Sequence, residues 1–260
     1  MTAAHIEVQA VAKRWLTRDQ PVAALEAISL DVAPHEFLTL LGPSGCGKST
    51  LLAILGGLTM PDAGEVRIAG RPVTGPDPRQ MAMVFQDPGL FPWRTALENV
   101  EFGLELQGVP APTRRERARA LLEPVGLRGF EGRYPRELSG GMKQRVAIAR
   151  ALALDTPVLL MDEPFGALDE QTRLLMGEWL LGIWARTRKT VVFVTHSLQE
   201  AILLSQRVVV MTARPGRIKA SFEVTLPTPR DLDAAPAAAL RHALWDAIRE
   251  ESRRALDGGA

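Results

Sequence analysis

Cysteine is nearly absent from this sequence of 260 residues, since Cys46 is its one cysteine. An intrachain disulfide is therefore excluded, and we expect a reducing compartment. An excess of one charge is also lacking: the 31 Lys and Arg residues balance 30 Asp and Glu residues, and the net charge of +1 argues against nucleic acid as a partner. No uninterrupted run of about 18 apolar residues occurs, and residues 1–8 contain no apolar signal core. We expect that the chain does not span a membrane by itself.

Apolar residues make up 46% of the sequence, enough for one large α/β domain with subdivisions or for two modest domains. Continuous apolar runs predict buried strands at residues 37–41, 83–85, 158–161, 191–194 and 208–211. Helical patterns separate most of these runs, which favours a parallel sheet joined by helical crossovers. Alternating apolar residues near the N-terminus and at residues 66–68 indicate an additional small antiparallel layer.

Two further segments differ from this pattern. Strand signals disappear between about residues 90 and 155, which predicts a helical insertion in the main domain of residues 1–220. Several prolines then introduce a C-terminal extension, residues 221–260, in which Leu240, Leu244 and Ile248 recur at helical spacing. We expect a loop followed by an amphipathic helix.

Residues 42–50 read Gly-Pro-Ser-Gly-Cys-Gly-Lys-Ser-Thr and fit the pattern G-x-x-x-x-G-K-[ST], whose backbone N–H groups cradle nucleotide phosphates. The ammonium of Lys48 can reach the β and γ phosphates, and the hydroxyl of Ser49 can ligate Mg²⁺. An ordinary glycine-rich turn would not require Lys48, and Cys46 is expected to be a small filler rather than a nucleophile. The predicted phosphate-binding residues are Gly42, Pro43, Ser44, Gly45, Cys46, Gly47, Lys48, Ser49 and Thr50.

The predicted strand at residues 158–161 leads into two adjacent carboxylates, Asp162 and Glu163. Ligands of open parallel sheets bind beyond the C-terminal ends of the strands, where these side chains would meet the phosphate loop. Asp162 would then bind Mg²⁺ directly or contact one of the groups that coordinate it, and Glu163 can polarise an attacking water. Taken alone, the pair is equally well explained as a solvated strand end.

The segment Leu-Ser-Gly-Gly-Met-Lys-Gln-Arg at residues 138–145 resembles the signature sequence of ABC-transporter ATPases. Taken alone, it is also a helix capped by Ser139. Further motifs similar to those of the family occur in order at Gln86, Asp162 with Glu163, Asp169 and His196, and the resemblance covers residues 5–220. It implies a P-loop NTPase fold with a RecA-like parallel-sheet core, an N-terminal antiparallel layer and a helical insertion.

The resemblance also implies a mechanism, in which two such domains pack head to tail around ATP and Mg²⁺. Ser139, Gly140 and Gly141 would act on the ATP held by the other subunit. The implied roles are general base for Glu163, placement of the γ-phosphate and water for His196, nucleotide sensing for Gln86, communication across the dimer for Asp169, and Mg²⁺ ligation for Ser49, Gln86 and Asp162. Trp15 would stack on adenine, although a packing or surface role explains it as well.

Residues 86–95 and 213–217 are similar to the nitrate, sulfonate and taurine importer branch of this family. That branch implies a peripheral ATPase on the cytoplasmic face of the inner membrane. Its partners would be a second ATPase subunit, identical or paralogous, a separate permease, and a periplasmic or extracellular substrate-binding protein. Phe91, Pro92 and Trp93 would form the wall of a groove for a permease helix, or else a core aromatic cluster.

Three alternatives stay open at this stage: a non-transport ABC ATPase, a small-molecule P-loop kinase and a catalytically silent nucleotide-binding regulator. The absence of tandem nucleotide domains and of a long coiled coil disfavours the first, and Lys48, Asp162, Glu163 and His196 disfavour the last. The signature departs from its most frequent form at Met142, where Gln is usual. The C-terminal extension matches no motif, so we expect that it packs in the dimer or has no specific role.

Overall fold

The structure is a computed structural model that describes residues 5–16 and 20–257. The elements in chain order are β1 (Ile6–Leu16), β2 (Pro21–Val32), β3 (Phe37–Leu41), α1 (Lys48–Leu55), β4 (Ala63–Ile68), β5 (Arg71–Pro72), β6 (Met81–Val84), α2 (Ala96–Leu106), α3 (Ala111–Leu122), a 3₁₀ turn (Pro135–Glu137), α4 (Gly140–Ala153), β7 (Val158–Asp162), α5 (Glu170–Thr187), β8 (Thr190–Thr195), α6 (Leu198–Leu204), β9 (Arg207–Met211), β10 (Ile218–Glu223) and α7 (Ala235–Asp257). Within these ranges, no helix is long and apolar enough to cross a membrane. Residues 1–4, which belong to the N-terminal segment expected to lack a signal core, lie outside them.

The chain divides into two compact units. One, which we call the split unit, comprises Met1–Asp77 and Arg188–Ala260, and the other, the continuous unit, comprises Pro78–Thr187. The boundaries predicted near residues 90, 155 and 220 stay a prediction.

Two sheets form the body of the split unit. The first has the order β2-β1-β4-β5 and is antiparallel, as the alternating residues near the N-terminus predict. In the second, β3 lies between β8 and β9 and is parallel to both, while β10 adds an antiparallel edge to β9. Every residue of β3 and β8 is buried, which explains their uninterrupted apolar sequence. The strands predicted at residues 37–41, 191–194 and 208–211 are thereby confirmed.

The helix α7 confirms the amphipathic helix predicted in the C-terminal extension. Its apolar face packs on the same chain, where Leu244 and Ile248 join a buried cluster with Leu41, Ile202 and Val210. Trp245, one residue after Leu244, is 49% exposed and faces away from that cluster. The C-terminal extension, for which we expected dimer packing or no specific role, thus has the apolar face of its helix covered by the same chain.

The continuous unit combines the parallel pair β6 and β7 with the helices α2 to α5. Thr95 begins α2 with a capping box, in which its side chain and that of Glu98 each accept a backbone N–H of the other residue. Buried Asn99 accepts the N–H of Phe91 and donates to the carbonyl of Arg94, so it fixes the segment before the helix. Strand β6 ends at Val84, one residue earlier than predicted, and Phe85 is 42% exposed.

Candidate nucleotide-binding site

The glycine-rich loop of residues 42–47 joins β3 to α1 in the split unit. Its last residue, Gly47, directly precedes α1 and has a φ of 105°. A Cβ atom at this position would also lie 2.7 Å from the carbonyl oxygen of Ala24, so both backbone conformation and space require glycine. The first N–H groups of α1 have no helical partner, and the loop presents them where an anion can bind.

Lys48 is the first residue of α1, and only 4% of it is exposed. Its ammonium donates to the carbonyl oxygens of Gly42 and Pro43, each at 2.8 Å. These two contacts hold the charge inside the loop, because a buried ammonium requires polar partners. The arrangement places a fixed positive charge where the motif predicts the phosphates.

Cys46 is buried in the same loop, with 1% of its surface exposed. Burial raises the pKa of its thiol, and the nearby Lys48 ammonium only partly offsets this effect. A thiol whose pKa is raised is a poor nucleophile at neutral pH. The geometry agrees with the expected role of Cys46 as a small filler.

His196 lies at the same edge of the sheet as the phosphate loop. The parallel register pairs Leu41 with Thr195, so the residues that follow, Gly42 and His196, leave the sheet side by side. The hydroxyl of Thr195 accepts the N–H of Ser197, which caps α6. His196 itself is exposed. It lies between the end of β8 and the start of α6, and these two elements fix the position of its backbone.

Trp15 also lies near the phosphate loop. Its indole N–H donates to the hydroxyl of Thr50 at 3.4 Å, and 44% of the residue is exposed. The ammonium of Lys13 is 5.2 Å from the centre of the indole ring, a favourable cation–π contact. The structure thus places an accessible aromatic ring beside the first turn of α1, where adenine stacking was predicted.

In the continuous unit, Gln86 and Glu163 are aligned by strand register. Val84 pairs with Met161 in the parallel ladder, and the two site residues each lie two positions further along, beyond the ends of β6 and β7. Glu163 has a φ of 42°, in the left-handed region that few residues other than glycine adopt. The turn is closed by the N–H of Gly166, which donates to the carbonyl of Glu163 at 3.1 Å. Backbone strain of this kind is typical of functional positions.

The segment around Gln86 is supported by Gln144, which lies in the signature segment but was given no role of its own, and by Arg150, which no sequence pattern singled out. Gln144 of α4 is 1% exposed and donates to the carbonyl of Phe85 at 3.2 Å. Arg150, six residues further along α4, donates to the carbonyls of Pro88 and Gly89, both at 2.8 Å. Gln86 itself is exposed, so α4 fixes its backbone while the side chain faces solvent.

The predicted signature forms the beginning of α4. Ser139 caps this helix by accepting the N–H of Met142 at 3.2 Å. A Cβ atom on Gly141 would lie 3.1 Å from Leu168, whereas one on Gly140 would meet nothing within 4 Å. The glycine at position 140 therefore has no packing reason within the described structure.

Asp169 follows Leu168 and caps α5. Its carboxylate accepts the N–H of Thr172 at 2.9 Å and the hydroxyl of the same residue at 2.7 Å. These bonds lower the pKa of Asp169, with the N–H of Thr172 as the largest cause. Ser139 and Asp169 are thus the N-cap residues of α4 and α5 in the continuous unit.

Arg214 is a further contact of the phosphate loop that the sequence did not predict. Its guanidinium donates to the carbonyl of Gly45 at 3.3 Å. Gly216 approaches the same loop, since a Cβ atom there would lie 2.2 Å from the carbonyl oxygen of Cys46. In the sequence, only the similarity of residues 213–217 to one importer branch pointed to this segment. That similarity does not identify which residues it contacts.

A buried strand, a glycine-rich turn and a helix that begins with a buried lysine form the phosphate site of the P-loop nucleotide-binding proteins. A family model described as ABC transporter matches residues 25–166. The chain belongs to the ABC transporter family.

Curated relatives and solved structures agree with this assignment. An uncharacterized ABC transporter ATP-binding protein of Methanocaldococcus jannaschii is 49% identical, over 96% of this chain and 94% of that protein. A nitrate import ATP-binding protein of Synechocystis is 47% identical over 86% of this chain and 84% of that protein, and a taurine import ATP-binding protein of Chromobacterium violaceum is 50% identical over 83% and 81%.

A dimeric structure of a bacterial ABC transporter cassette superposes with a TM-score of 0.79 at 35% identity, covering 84% of this chain and 98% of that one. A dimeric post-hydrolysis structure bound to ADP and Pi gives a TM-score of 0.78 at 34% identity, with the same coverage. The predicted P-loop NTPase fold is confirmed, and the chain is an ATP-binding cassette ATPase.

Proposed function

We propose that this chain is the ATP-hydrolysing subunit of an importer for a small anion or organic solute, and that it energises a separate permease. The fixed ammonium of Lys48 within the glycine loop is the observation that carries the nucleotide-binding part. The importer part is supported by the relatives named as nitrate, taurine and aliphatic sulfonate import ATP-binding proteins. As such a subunit, the chain would lie on the cytoplasmic face of the inner membrane and would work with a substrate-binding protein as a further partner.

A second ATPase subunit, identical or paralogous, would complete each nucleotide site. Both structural neighbours are dimers, and one of them holds ADP and Pi. The open space around Gly140 supports the approach of a partner's nucleotide, because the N-terminus of α4 offers backbone N–H groups to an anion. Ser139, Gly140 and Gly141 would bind the γ-phosphate held by the other subunit, and Asp169 would report closure across the interface.

Mg²⁺ would be held by Ser49, Gln86 and Asp162 together with the phosphate oxygens. Hydroxyl, amide and carboxylate oxygens are the hard donors that Mg²⁺ prefers, and it is usually bound through one or two carboxylates plus substrate phosphates. Among the described residues, no group of three or more His, Cys, Asp and Glu side chains could hold a metal alone. The donor set therefore fits an ion that arrives with ATP and shields the charge of its phosphates.

Hydrolysis would need a base and a residue that orients water. Glu163 directly follows the last residue of β7 and adopts a left-handed backbone conformation. A carboxylate in the turn after the strand is in a suitable place for a general base. His196 lies beside the start of the phosphate loop and would hold the γ-phosphate and water in place. Trp15, next to Thr50, would stack on the adenine ring.

The continuous unit contains a groove of about 770 Å³ that we assign to a helix of the permease. Its lining is largely apolar and includes Phe85, Phe91, Phe102, Leu106, Arg79 and Arg150. Trp93 is 71% exposed and its ring centre is 5.7 Å from that of Phe91, so the aromatic group extends beyond the groove. An amphipathic helix can bury its apolar face in such a groove.

A Glu163→Gln variant tests the proposed ATPase. Removing the base should lower phosphate release by at least about 100-fold, while ATP binding persists because the phosphate loop is intact. Light scattering after gel filtration with ATP and Mg²⁺ should detect a dimer of the variant, and Glu178→Gln on the exposed face of α5 serves as the matched control. A Glu163→Gln protein that hydrolyses ATP normally and stays monomeric would contradict the proposal. ADP formation by the wild type that requires an added acceptor, and that yields a phosphorylated acceptor in place of free phosphate, would favour a kinase.

A further inference from the structure

The loop of residues 212–217, which we call the Arg214 loop, touches the phosphate loop at two carbonyl oxygens. The Nε of Arg214 donates to Gly45, and the backbone of Gly216 lies against Cys46. The carbonyls of Gly42 and Pro43 accept the Lys48 ammonium, whereas those of Gly45 and Cys46 face the Arg214 loop, which leaves the N–H groups of the phosphate loop available to an anion. A donor at the carbonyl of Gly45 and a steric stop at that of Cys46 both hold this orientation.

The Arg214 loop is itself anchored to β2. The N–H of Gly216 donates to the carbonyl of Ala24 at 2.9 Å, and the N–H of Glu26 donates to the carbonyl of Gly216 at 3.0 Å. Arg217 adds an ion pair with Glu26 at 2.7 Å. Since Ala24 also borders Gly47, β2 and the Arg214 loop enclose the phosphate loop from two directions.

The third contact of the Arg214 loop comes from the C-terminal helix. Glu251 of α7 is 2% exposed, and its carboxylate accepts the N–H of Ala213 at 2.9 Å and the ammonium of Lys219 at 2.7 Å. Arg254 approaches the same carboxylate at 3.6 Å. Ala213 precedes Arg214 in the chain, so this buried carboxylate holds the start of the loop.

The carboxylate of Glu251 is ionised at neutral pH. Burial raises its pKa, but the hydrogen bonds from Lys219 and from the N–H of Ala213 outweigh that effect and bring it below the ordinary value of 4.5. A buried negative charge of this kind is retained at a cost in desolvation. None of the roles proposed for ATP hydrolysis requires it.

We propose that Glu251 is a positioning residue of the nucleotide site: α7 fixes the Arg214 loop, and the Arg214 loop fixes the carbonyls of Gly45 and Cys46 so that the phosphate loop is preorganised for ATP. The inference rests on the proposed binding of ATP to this loop. It gives the C-terminal extension a function within its own subunit. The phosphate loop would then be ordered before the nucleotide binds. Affinity rises because binding no longer has to offset the entropy lost in ordering the loop.

The test uses MgADP, which binds the phosphate loop without turnover, and isothermal titration calorimetry. Glu251→Ala should weaken MgADP binding about tenfold, because it removes the hydrogen bond that holds Ala213 at the start of the loop and the bond to Lys219 in the adjoining strand β10. Glu251→Gln keeps the volume and one acceptor, so its affinity should fall between those of Glu251→Ala and the wild type. Glu250→Ala, at an exposed neighbour that pairs with Arg254, is the matched control and should change affinity less than about twofold.

A double-mutant cycle with Arg214→Ala separates positioning from simple stabilisation. If Glu251 acts through the Arg214 loop, Arg214→Ala alone should weaken MgADP binding, and Glu251→Gln should weaken it less in the Arg214→Ala protein than in the wild type, because only the contact of Gly216 at Cys46 then remains. Additive losses in the cycle would overturn the proposal, as would Glu251 variants that melt earlier but bind MgADP like the wild type. A wild-type protein that fails to bind MgADP would instead refute the proposed nucleotide function, so the two failures are distinguishable.

Discussion

Individual glycines of this protein are required for two different physical reasons. Gly47 needs a left-handed backbone, with its φ of 105°. Gly216 has an ordinary φ but no space, since a Cβ atom would lie 2.2 Å from the carbonyl oxygen of Cys46 and 3.3 Å from that of Ala24. Gly47 belongs to the phosphate loop and Gly216 contacts it, so a side chain at either position would shift the backbone of that loop.

A Gly216→Ala variant should therefore bind nucleotide weakly. The new methyl group would displace the backbone of Cys46, which we expect to lower the melting temperature and to reduce MgADP affinity by about tenfold or more. Gly75→Ala is the matched control, because Gly75 also has no left-handed φ and a Cβ atom there meets nothing within 4 Å. Calorimetric titration measures the MgADP affinity of both variants, and thermal unfolding measures their melting temperatures. Equal affinities would show that the contact at Cys46 is unimportant.

The site residues could be proposed from sequence, whereas the hydrogen-bond partners that the structure gives them could not. Lys48 was identified because its spacing from the glycines of the loop is fixed by the phosphate geometry. The contact between Arg214 and Gly45 joins residues 169 positions apart, and no local pattern encodes which carbonyl a distant arginine will reach. The ion pair and hydrogen bonds of Glu251 were hidden for the same reason.

At the scale of single elements, the helix α7 is held mainly by its apolar face. Leu244 is fully buried in the cluster it shares with α6 and β9. Leu244→Ala should lower the free energy of unfolding by about 2–5 kcal/mol, since it removes buried methyl groups and leaves a cavity. The same substitution at Leu175 of α5, which is 67% exposed, should change it by less than about 0.5 kcal/mol. Urea unfolding measures both, and similar losses at the two positions would contradict the observed packing of α7.

The strands and the tail helix show which elements a sequence can specify. β3, β8 and β9 were predicted because strands buried on both faces read as continuous apolar runs. The spacing of Leu240, Leu244 and Ile248 predicted one buried helix face, but an apolar stripe does not say which surface will cover it. The surface turned out to be β9 and α6 of the same chain.

At the scale of the whole molecule, coupling to a permease should depend on the groove of the continuous unit. Leu106 lines this groove and is 73% exposed, and it lies outside the residues assigned to ATP. Leu106→Glu should leave basal ATP hydrolysis unchanged, while ATPase activity stimulated through the co-purified permease falls at least about tenfold, because a charge is costly to bury against an apolar helix.

The control for this experiment is Leu16→Glu, which places the same charge at a leucine that is 88% exposed in the split unit. Both proteins are compared alone and in membranes that contain the permease. Retained stimulation in Leu106→Glu would place the docking surface elsewhere, and loss in Leu16→Glu would show that the effect is not specific to the groove.

The hydrogen bond between Trp15 and Thr50 has a practical consequence. A partly exposed indole fixed at the first turn of the phosphate-loop helix is an intrinsic fluorophore next to the binding site. The ammonium of Lys13 lies 5.2 Å from the centre of this ring. If Trp15 stacks on adenine as proposed, we expect nucleotide binding to change the tryptophan emission of the wild type but not that of a Trp15→Phe protein, which would report occupancy without a dye.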